Sequence, residues 1–431
     1  MKKIVFGFVV LACAFWGINL YVNPVAMNAR SVVHEAFFLS GMLAWGFMAM
    51  AIVIAARPAW LERITNTPLD TLYRWHRTIG IAVAALTFFH FFAKTFMKPV
   101  LAMMTLEPVV KAARDPNIAG FDAFWAWLRG ASNTAAEWVT ILGAILFVVS
   151  FVSYVRYHKW LTTHRLFSII FIIVAFHAIR LMDAADYLTP FGILNVVVTA
   201  VGLWYSIVLI VRGAGHEKTV RGEIVDNNHA GGLSFVTVRP DRPLALKAGE
   251  FVFMRSAGHE KHPFSVAGVN TDGTFNLAVK ALGDYTSGPV PVLSKGETIF
   301  VEGPWGHFLP DYTVKNQLWL AGGVGIAPFC AWLEDAAKNA HGAIKLVWCI
   351  KASDAEPLYD RVVKLAQAAG VALEVYESKK KRLAADELFA AGVPEQVSLC
   401  AGERLAESVA KAYVSAGGSS DNIRKEYFKW R

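Results

Sequence analysis

Long unbroken apolar runs fill the first half of the chain, and short alternating ones fill the second. Runs able to cross a hydrocarbon layer, which takes about 20 helical residues, lie at 4–22, 34–56, 77–97, 137–156, 164–182 and 190–211. They predict six membrane-spanning helices. Past Arg212 no such run recurs, and "VRGEIVD", "LSFVTVRP", "GEFVFMRS", "HPFSVAG", "TFNLAVKAL" and "ETIFVEGPWG" succeed one another with turn residues between them. Short strands at about ten-residue spacing are the rhythm of a small antiparallel barrel. After residue 316 the rhythm changes again, to an apolar strand, a glycine-rich turn and a helix in "QLWLAGGVGIAPFCAWLEDAAK", with "AIKLVWCIKAS", "VALEVYES" and "VSLCAGE" as further strands. Three domains are expected, over 1–214, 215–312 and 313–431, with "VRGAGHEKTV" at 211–220 as the linker between membrane and soluble halves.

Composition agrees with this division. The 431 residues are 55% hydrophobic and 18% charged, which does not describe one soluble core. The net charge of +8 is not gathered on an aromatic-interleaved patch, so no nucleic-acid partner is expected. Many basic residues instead flank the spans: Lys2 and Lys3, then Arg57, Arg63, Arg74 and Arg77, then Arg156, Lys159 and Arg165. The positive-inside rule puts these loops, both termini and the soluble half in the cytoplasm, with the chain in the cell membrane. The segment 98–136 carries mixed charge, and its "FWAWL" predicts a short interfacial helix. Four cysteines, Cys13, Cys330, Cys349 and Cys400, show no CxxC spacing and imply neither a zinc site nor a disulfide framework. "VVLAC" at 9–13 resembles a lipoprotein cleavage box, but an uncleaved first span is the expectation.

Ionisable side chains inside spans are costly and point to function. The third span carries His76 and His90, the fifth His164 and His177. Fourteen helical residues advance about 21 Å and return to within about 40° of the same face, so one helix presents two rings at two depths. Because these two spans run in the same direction, His76 can meet His164 near the cytoplasmic side and His90 can meet His177 farther out. Two imidazoles at each of two levels suit two b-type haems, whose irons take axial nitrogens from both faces. The neighbours are Phe, Leu and Ile rather than the carboxylates of a hard-metal site. The 13-residue spacing of His164 and His177 separates them by about 140° on an ideal helix, which implies a tightened turn or a frayed helix entrance at His164. A hydrogen bond to a neighbouring helix is the competing use of any one such histidine. His34, Glu35 and His158 are expected at the membrane interface, and Arg74, Arg77, Arg165 and Arg180 are candidate propionate ligands.

In the soluble half, Gly322, Gly323 and Gly325 end a strand, and Pro328 stands where a helix should begin. Backbone N–H groups at such a helix start form an anion site suited to a pyrophosphate. A barrel with "HPFS", a Val279, Lys280, Gly283, Thr286 run and "GPWG" at 303–306, followed by "GGVGIAP" and a cysteine in the last strand, resembles the ferredoxin-reductase-type flavin module. Fused to six spans with paired histidines, it is similar to the NADPH oxidase and ferric reductase family of transmembrane flavocytochromes b, in the compact form of the prokaryotic NADPH oxidases. The fold implied is a six-helix transmembrane bundle followed by an antiparallel β-barrel for FAD and an α/β Rossmann-like nucleotide domain.

The resemblance assigns roles to residues. His262, Pro263, Phe264 and Ser265 would line FAD, with the Ser265 hydroxyl near the flavin N5 edge. Phe264 as an ordinary barrel core residue is the competing reading. Lys280, Gly283 and Thr286 would lie near the FAD phosphates, and Gly303 and Gly306 would bound a turn beneath the cofactor. Gly322, Gly323, Gly325 and Pro328 would meet the nucleotide pyrophosphate, and Cys400 the nicotinamide, although Cys-Ala-Gly stands at 400–402 where the family has Cys-Gly-Pro. Phe428, with Trp430 as runner-up, would cover the flavin until nicotinamide displaces it. Lys351 and Ser353 are candidates for the NADPH 2′-phosphate, Asp354 is a rival favouring NADH, and "KKKR" at 379–382 is a solvated loop or a second phosphate contact.

The implied reaction passes electrons from cytosolic NADPH, or NADH, through FAD and two haems b to an acceptor outside, O2 first and a ferric chelate as the alternative. No obligatory protein partner is evident beyond the lipid bilayer. A non-catalytic haem-binding relay subunit and a proton-relay transporter are the readings of another class.

Overall fold

The computed structural model describes residues 1–24, 29–92, 95–96, 120–151, 157–182 and 186–426. The chain forms two compact units: residues 1–67 with 72–216, and residues 68–71 with 217–431.

The first unit is helical. Its long elements are α1 (Lys2–Val22), α2 (Ala29–Ala56), α3 (Leu69–Phe92), α4 (Gly120–Phe151), α5 (Tyr157–Arg180) and α6 (Pro190–Val211). Among the described residues, five helices are long and apolar enough to cross a membrane, and α3 is the one that falls short. It begins eight residues before the expected 77, and Asp70, Arg74, Arg77, His76 and His90 dilute its apolar content. The fourth span also begins earlier than expected. "FWAWL" is not a separate interfacial helix; it lies in the second and third turns of the 32-residue α4. Pro190 at the first helical position and Thr189, whose side chain accepts from the Gly192 amide, start α6 as sequence rules require.

Close packing in this unit relies on small residues, as expected where lipid removes the hydrophobic drive between helices. A Cβ on Gly202 of α6 would fall 2.0 Å from the Phe171 ring of α5. Phe171 in turn stacks on Trp45 of α2 with centroids 3.9 Å apart. Polar bonds add to this: Trp45 Nε1 donates to Thr199 Oγ1 at 3.0 Å, and Trp60 Nε1 to the Tyr205 hydroxyl at 3.0 Å.

The second unit contains a closed six-stranded barrel in the order β1-β2-β5-β4-β3-β6. Its strands are β1 (Thr219–Ala230), β2 (Leu233–Pro240), β3 (Phe251–Ser256), β4 (His262–Val269), β5 (Phe275–Lys280) and β6 (Thr298–Trp305). All six fall on the runs read from sequence. Inward-facing Val236, Val238, Val252, Met254, Leu277 and Val301 fill the interior.

A parallel sheet follows, with β7 (Asn316–Gly322), β8 (Ala343–Ile350), β9 (Ala372–Glu377), β10 (Gln396–Cys400) and β11 (Ile423–Lys425) in the order β11-β10-β7-β8-β9. Its helices are α7 (Ala327–Ala336), α8 (Tyr359–Ala369) and α9 (Glu403–Ser415). Leu318, Trp319, Leu320 and Ala321 of β7 are all buried, the continuous apolar run of a parallel strand covered on both faces. One face packs on α7 and α8 through Trp319, Trp332 and Trp348, and the other on α9 through Val397, Val409 and Tyr413. The first of these cores also takes in Leu233, Ala267 and Ala278 of the barrel, so barrel and sheet share apolar contacts across the expected 312/313 boundary.

Candidate functional site

In the helical unit, the two histidines of α3 are tied to α2. His76 Nδ1 lies 3.0 Å from the Ala51 carbonyl, and His90 Nδ1 lies 3.0 Å from the Phe37 carbonyl. Both donor and acceptor pairs are fourteen residues apart, so the antiparallel helices hold both rings in one register. A carbonyl only accepts, hence each Nδ1 carries the proton and each Nε2 keeps its lone pair. Gly41 makes room for the second ring: a Cβ there would fall 2.8 Å from His90 Nδ1 and Cε1. His90 also stacks on Phe37 with centroids 3.9 Å apart.

His76 meets His164 of α5 with ring centroids 5.9 Å apart. Ser150 Oγ of α4 lies 3.1 Å from His164 Nδ1 and donates its own hydrogen to the Leu146 carbonyl at 2.7 Å. Neither the tightened turn nor the frayed entrance expected at His164 is present. That residue is the eighth of a continuous helix, as His76 is the eighth of α3. His177 lies in the last turn of α5.

The residues fit a haem at the inner level. Two metal–nitrogen bonds of about 2 Å each, with the ring radii added, place imidazole centroids about 6 Å apart. With each Nδ1 taken up by a second group, each Nε2 would be the atom offered to a metal, the usual outer-shell arrangement. Among the described residues no cluster of three or more His, Cys, Asp or Glu could hold a metal ion. Two-histidine ligation is what remains when a macrocycle supplies the other four nitrogens.

In the second unit, the polar site gathers where β4, β10 and β11 end or pass. Ser265 of β4 pairs with Phe251 of β3 and is buried. Its Oγ donates to Glu426 Oε2 at 3.3 Å, and Cys400 Sγ lies 3.6 Å from the same oxygen. Glu426 follows β11, and its amide donates to the Leu399 carbonyl, so pairing of β11 with β10 delivers the carboxyl to Cys400. Burial first, and then the nearby Asp70 carboxylate, push the Glu426 carboxyl up to about 8. Burial also raises the Cys400 thiol well above its ordinary value. Sequence reading does not single out Glu426, because a three-residue strand has no periodicity; its signal is an acid two residues before Phe428.

The other barrel residues named above are held by partners of their own. His262 stacks on Tyr285 with centroids 4.5 Å apart, and burial holds its ring below the ordinary imidazole value. Pro263 pairs with Phe253, and Phe264, opposite Val252, packs partly on the barrel core. Gly306 at φ 92° lies so close to Phe251 that a Cβ would fall 2.8 Å from its ring, and a Cβ on Gly303 would meet Val252 at 3.0 Å. The turn between them is fixed by Trp305, whose Nε1 donates to the fully buried Glu302 at 3.2 Å. The other Glu302 oxygen pairs with Lys261 Nζ at 2.8 Å, while Lys218 sits 3.8 Å over the Trp305 ring. Thr286 accepts from the amides of Leu282 and Gly283, closing the turn after β5.

The glycine turn is built for close approach. A Cβ on Gly325 would fall 2.0 Å from the Cys400 carbonyl oxygen, and one on Gly322 2.9 Å from Ala401 Cβ. Gly323 has φ 54°, and its carbonyl accepts from Trp348 Nε1 at 3.0 Å. Pro328 is the second residue of the buried α7. A Cβ on Gly323 would lie 3.9 Å from Lys280 Nζ, so the barrel lysine reaches this turn. Lys351 is exposed beyond β8, and Ser353 Oγ donates to Glu377 Oε1 at 3.0 Å. Asp354 is exposed. In "KKKR", Lys380 and Lys381 form ion pairs with Glu377 and Glu387, as in a solvated loop. Phe428, Trp430, Arg156 and residues 98–119 lie outside the described residues.

Helices of membrane length with paired histidines, followed by a barrel and a parallel sheet, define a transmembrane reductase-type architecture. Residues 40–175 match the family described as ferric reductase like transmembrane component. The chain is 24% identical over 352 residues to ferric reduction oxidase 7 of Arabidopsis thaliana, covering 74% of this chain and 43% of that protein. It is 23% identical over 435 residues to respiratory burst oxidase homolog protein C of Solanum tuberosum, covering 86% of this chain and 40% of that protein. Over 200 residues it is 26% identical to the probable dihydroorotate dehydrogenase B (NAD(+)) electron transfer subunit of Methanopyrus kandleri, covering 45% of this chain and 74% of that protein. It thus spans less than half the length of the two oxidase relatives. The chain is thus similar to ferric reductases and NADPH oxidases, and its residues 40–175 to the transmembrane component of the former.

Proposed function

We propose that this multi-pass membrane protein moves electrons from NAD(P)H across the bilayer to O2, with a ferric chelate as the alternative acceptor. The observation that carries this reading is the His76 and His164 pair inside apolar helices, each ring with its Nδ1 bonded elsewhere. FAD, when bound, would accept a hydride and release single electrons, and two haems, when bound, would carry them one at a time.

The chain's own residues prepare both ends. His76 with His164, and His90 with His177, would hold the haems. His262, Pro263, Phe264 and Ser265 would line the flavin, with Lys280, Gly283 and Thr286 toward its phosphates. The Gly322 to Pro328 turn would take the nucleotide pyrophosphate on backbone N–H groups, and Lys280 adds positive charge there. Cys400 and Glu426, which meet beside Ser265, would border the nicotinamide. Well below pH 8 the Glu426 carboxyl keeps its proton and so adds no negative charge of its own against an incoming hydride. The cytoplasmic placement of both termini follows from the basic flanks.

The test is spectroscopic and kinetic. Purified protein reduced with dithionite should show a haem Soret band, and NADPH should reduce cytochrome c in a superoxide-dismutase-sensitive way. A colourless apart-from-flavin protein would remove the haem reading. Dismutase-insensitive reduction, with anaerobic turnover of a ferric chelate, would move the acceptor to iron.

A further inference from the structure

The geometry points to Ser150 as the positioning residue of His164, setting which ring nitrogen is offered to a metal; this rests on the haem reading above. The histidines of the helical unit are anchored in two different ways. His76 and His90 give their Nδ1 protons to backbone carbonyls of α2, which no side-chain change can remove. His164 Nδ1 instead meets a hydroxyl, Ser150 Oγ at 3.1 Å.

The direction of that bond follows from hydrogen counting. Ser150 has one hydroxyl hydrogen, and it goes to the Leu146 carbonyl at 2.7 Å. Ser150 Oγ therefore presents lone pairs to His164, and Nδ1 must be the donor. Donation to Leu146 polarises the oxygen and strengthens what it accepts. Among the described residues, the two aromatic side chains against the ring do not set the tautomer. Trp160 stacks on it with centroids 5.1 Å apart and Phe167 meets it edge-on at 5.1 Å, so both confine the ring plane without offering Nδ1 an acceptor. With Ser150 removed, a proton on Nε2 would leave Nδ1 as the bare nitrogen, on the wrong side for a ligand shared with His76.

Outer-shell partners of metal-bound histidines typically affect affinity by about 10- to 100-fold. The experiment compares full-length wild type with Ser150→Thr and Ser150→Val, which match each other in shape but not in the hydroxyl. Haem per chain is measured by pyridine haemochrome, haem loss by transfer to apomyoglobin, and axial ligation by low-spin electron paramagnetic resonance. Ser150→Val should release one of two haems about 10- to 100-fold faster and shift one of the two low-spin signals, while Ser150→Thr should match wild type in both. Ser150→Ala repeats the comparison if Val disturbs helix packing. Val behaving as Ser, or Thr failing as badly as Val, overturns the assignment while leaving the haem reading intact. A wild-type chain that takes up no haem overturns both.

Discussion

At the scale of single residues, chemistry is set by what each polar group is buried against. Glu426 shows this most clearly. Its carboxyl ionises near 8 in the folded chain against an ordinary 4.5, so the folded state holds a proton that the unfolded state has released between those values. The contribution of this carboxyl to stability is then fully present below pH 4.5 and is lost as pH rises through about 8. Apparent unfolding midpoints at pH 6 and pH 9 should fall for wild type and stay nearly level for Glu426→Gln; parallel profiles would refute the assignment. The same variant should slow flavin reduction by NAD(P)H, read by stopped flow, while Ser265 and Cys400 remain in place. For the outer ring, His90→Ala should remove roughly half the haem and stop acceptor reduction, yet leave hydride transfer to flavin unchanged. Full haem content in that variant would show that His90 is not a ligand.

At the scale of elements, close backbone approach does the positioning. The end of β10 lies against the glycine turn so tightly that Gly325 has no room for a methyl group beside the Cys400 carbonyl. Both partners are backbone, which gives way less readily than a side chain. Gly325→Ala should therefore cost about 1–3 kcal/mol by overpacking and weaken NAD(P)H binding at least tenfold, measured by calorimetric titration, with flavin content largely kept. Loss of flavin together with nucleotide would mean that the turn serves the whole fold rather than the nucleotide site. Elements were also where sequence reading gave most and missed most. Strands β1 to β10 were legible because each alternates or runs apolar between turn formers. Strand β11 and the long start of α4 were not, since three residues carry no period and 120–136 mixes charge with aromatics.

At the scale of the whole molecule, the second unit has its own barrel core and two sheet cores. A fragment of residues 217–431 should fold, retain flavin and reduce ferricyanide with NADPH or NADH, while carrying no haem and passing no electrons to cytochrome c through superoxide. Aggregation of that fragment without flavin would indicate that residues 68–71, which cluster with this unit, are needed for it.

The sequence by itself determined the architecture. Span-length apolar runs, ten-residue strand spacing and a strand–glycine–helix turn are local patterns, and hydrophobic periodicity records them without reference to distant residues. The four histidines were equally visible, because an ionisable group in an apolar run stands out wherever it pairs. Tertiary structure decided the partners: Ala51, Phe37 and Ser150 for the rings, Glu426 for Ser265 and Cys400, Trp348 for the glycine turn. Those pairings join residues far apart in the chain, and a hydrogen bond depends on angstrom-scale distance that no spacing along the sequence encodes.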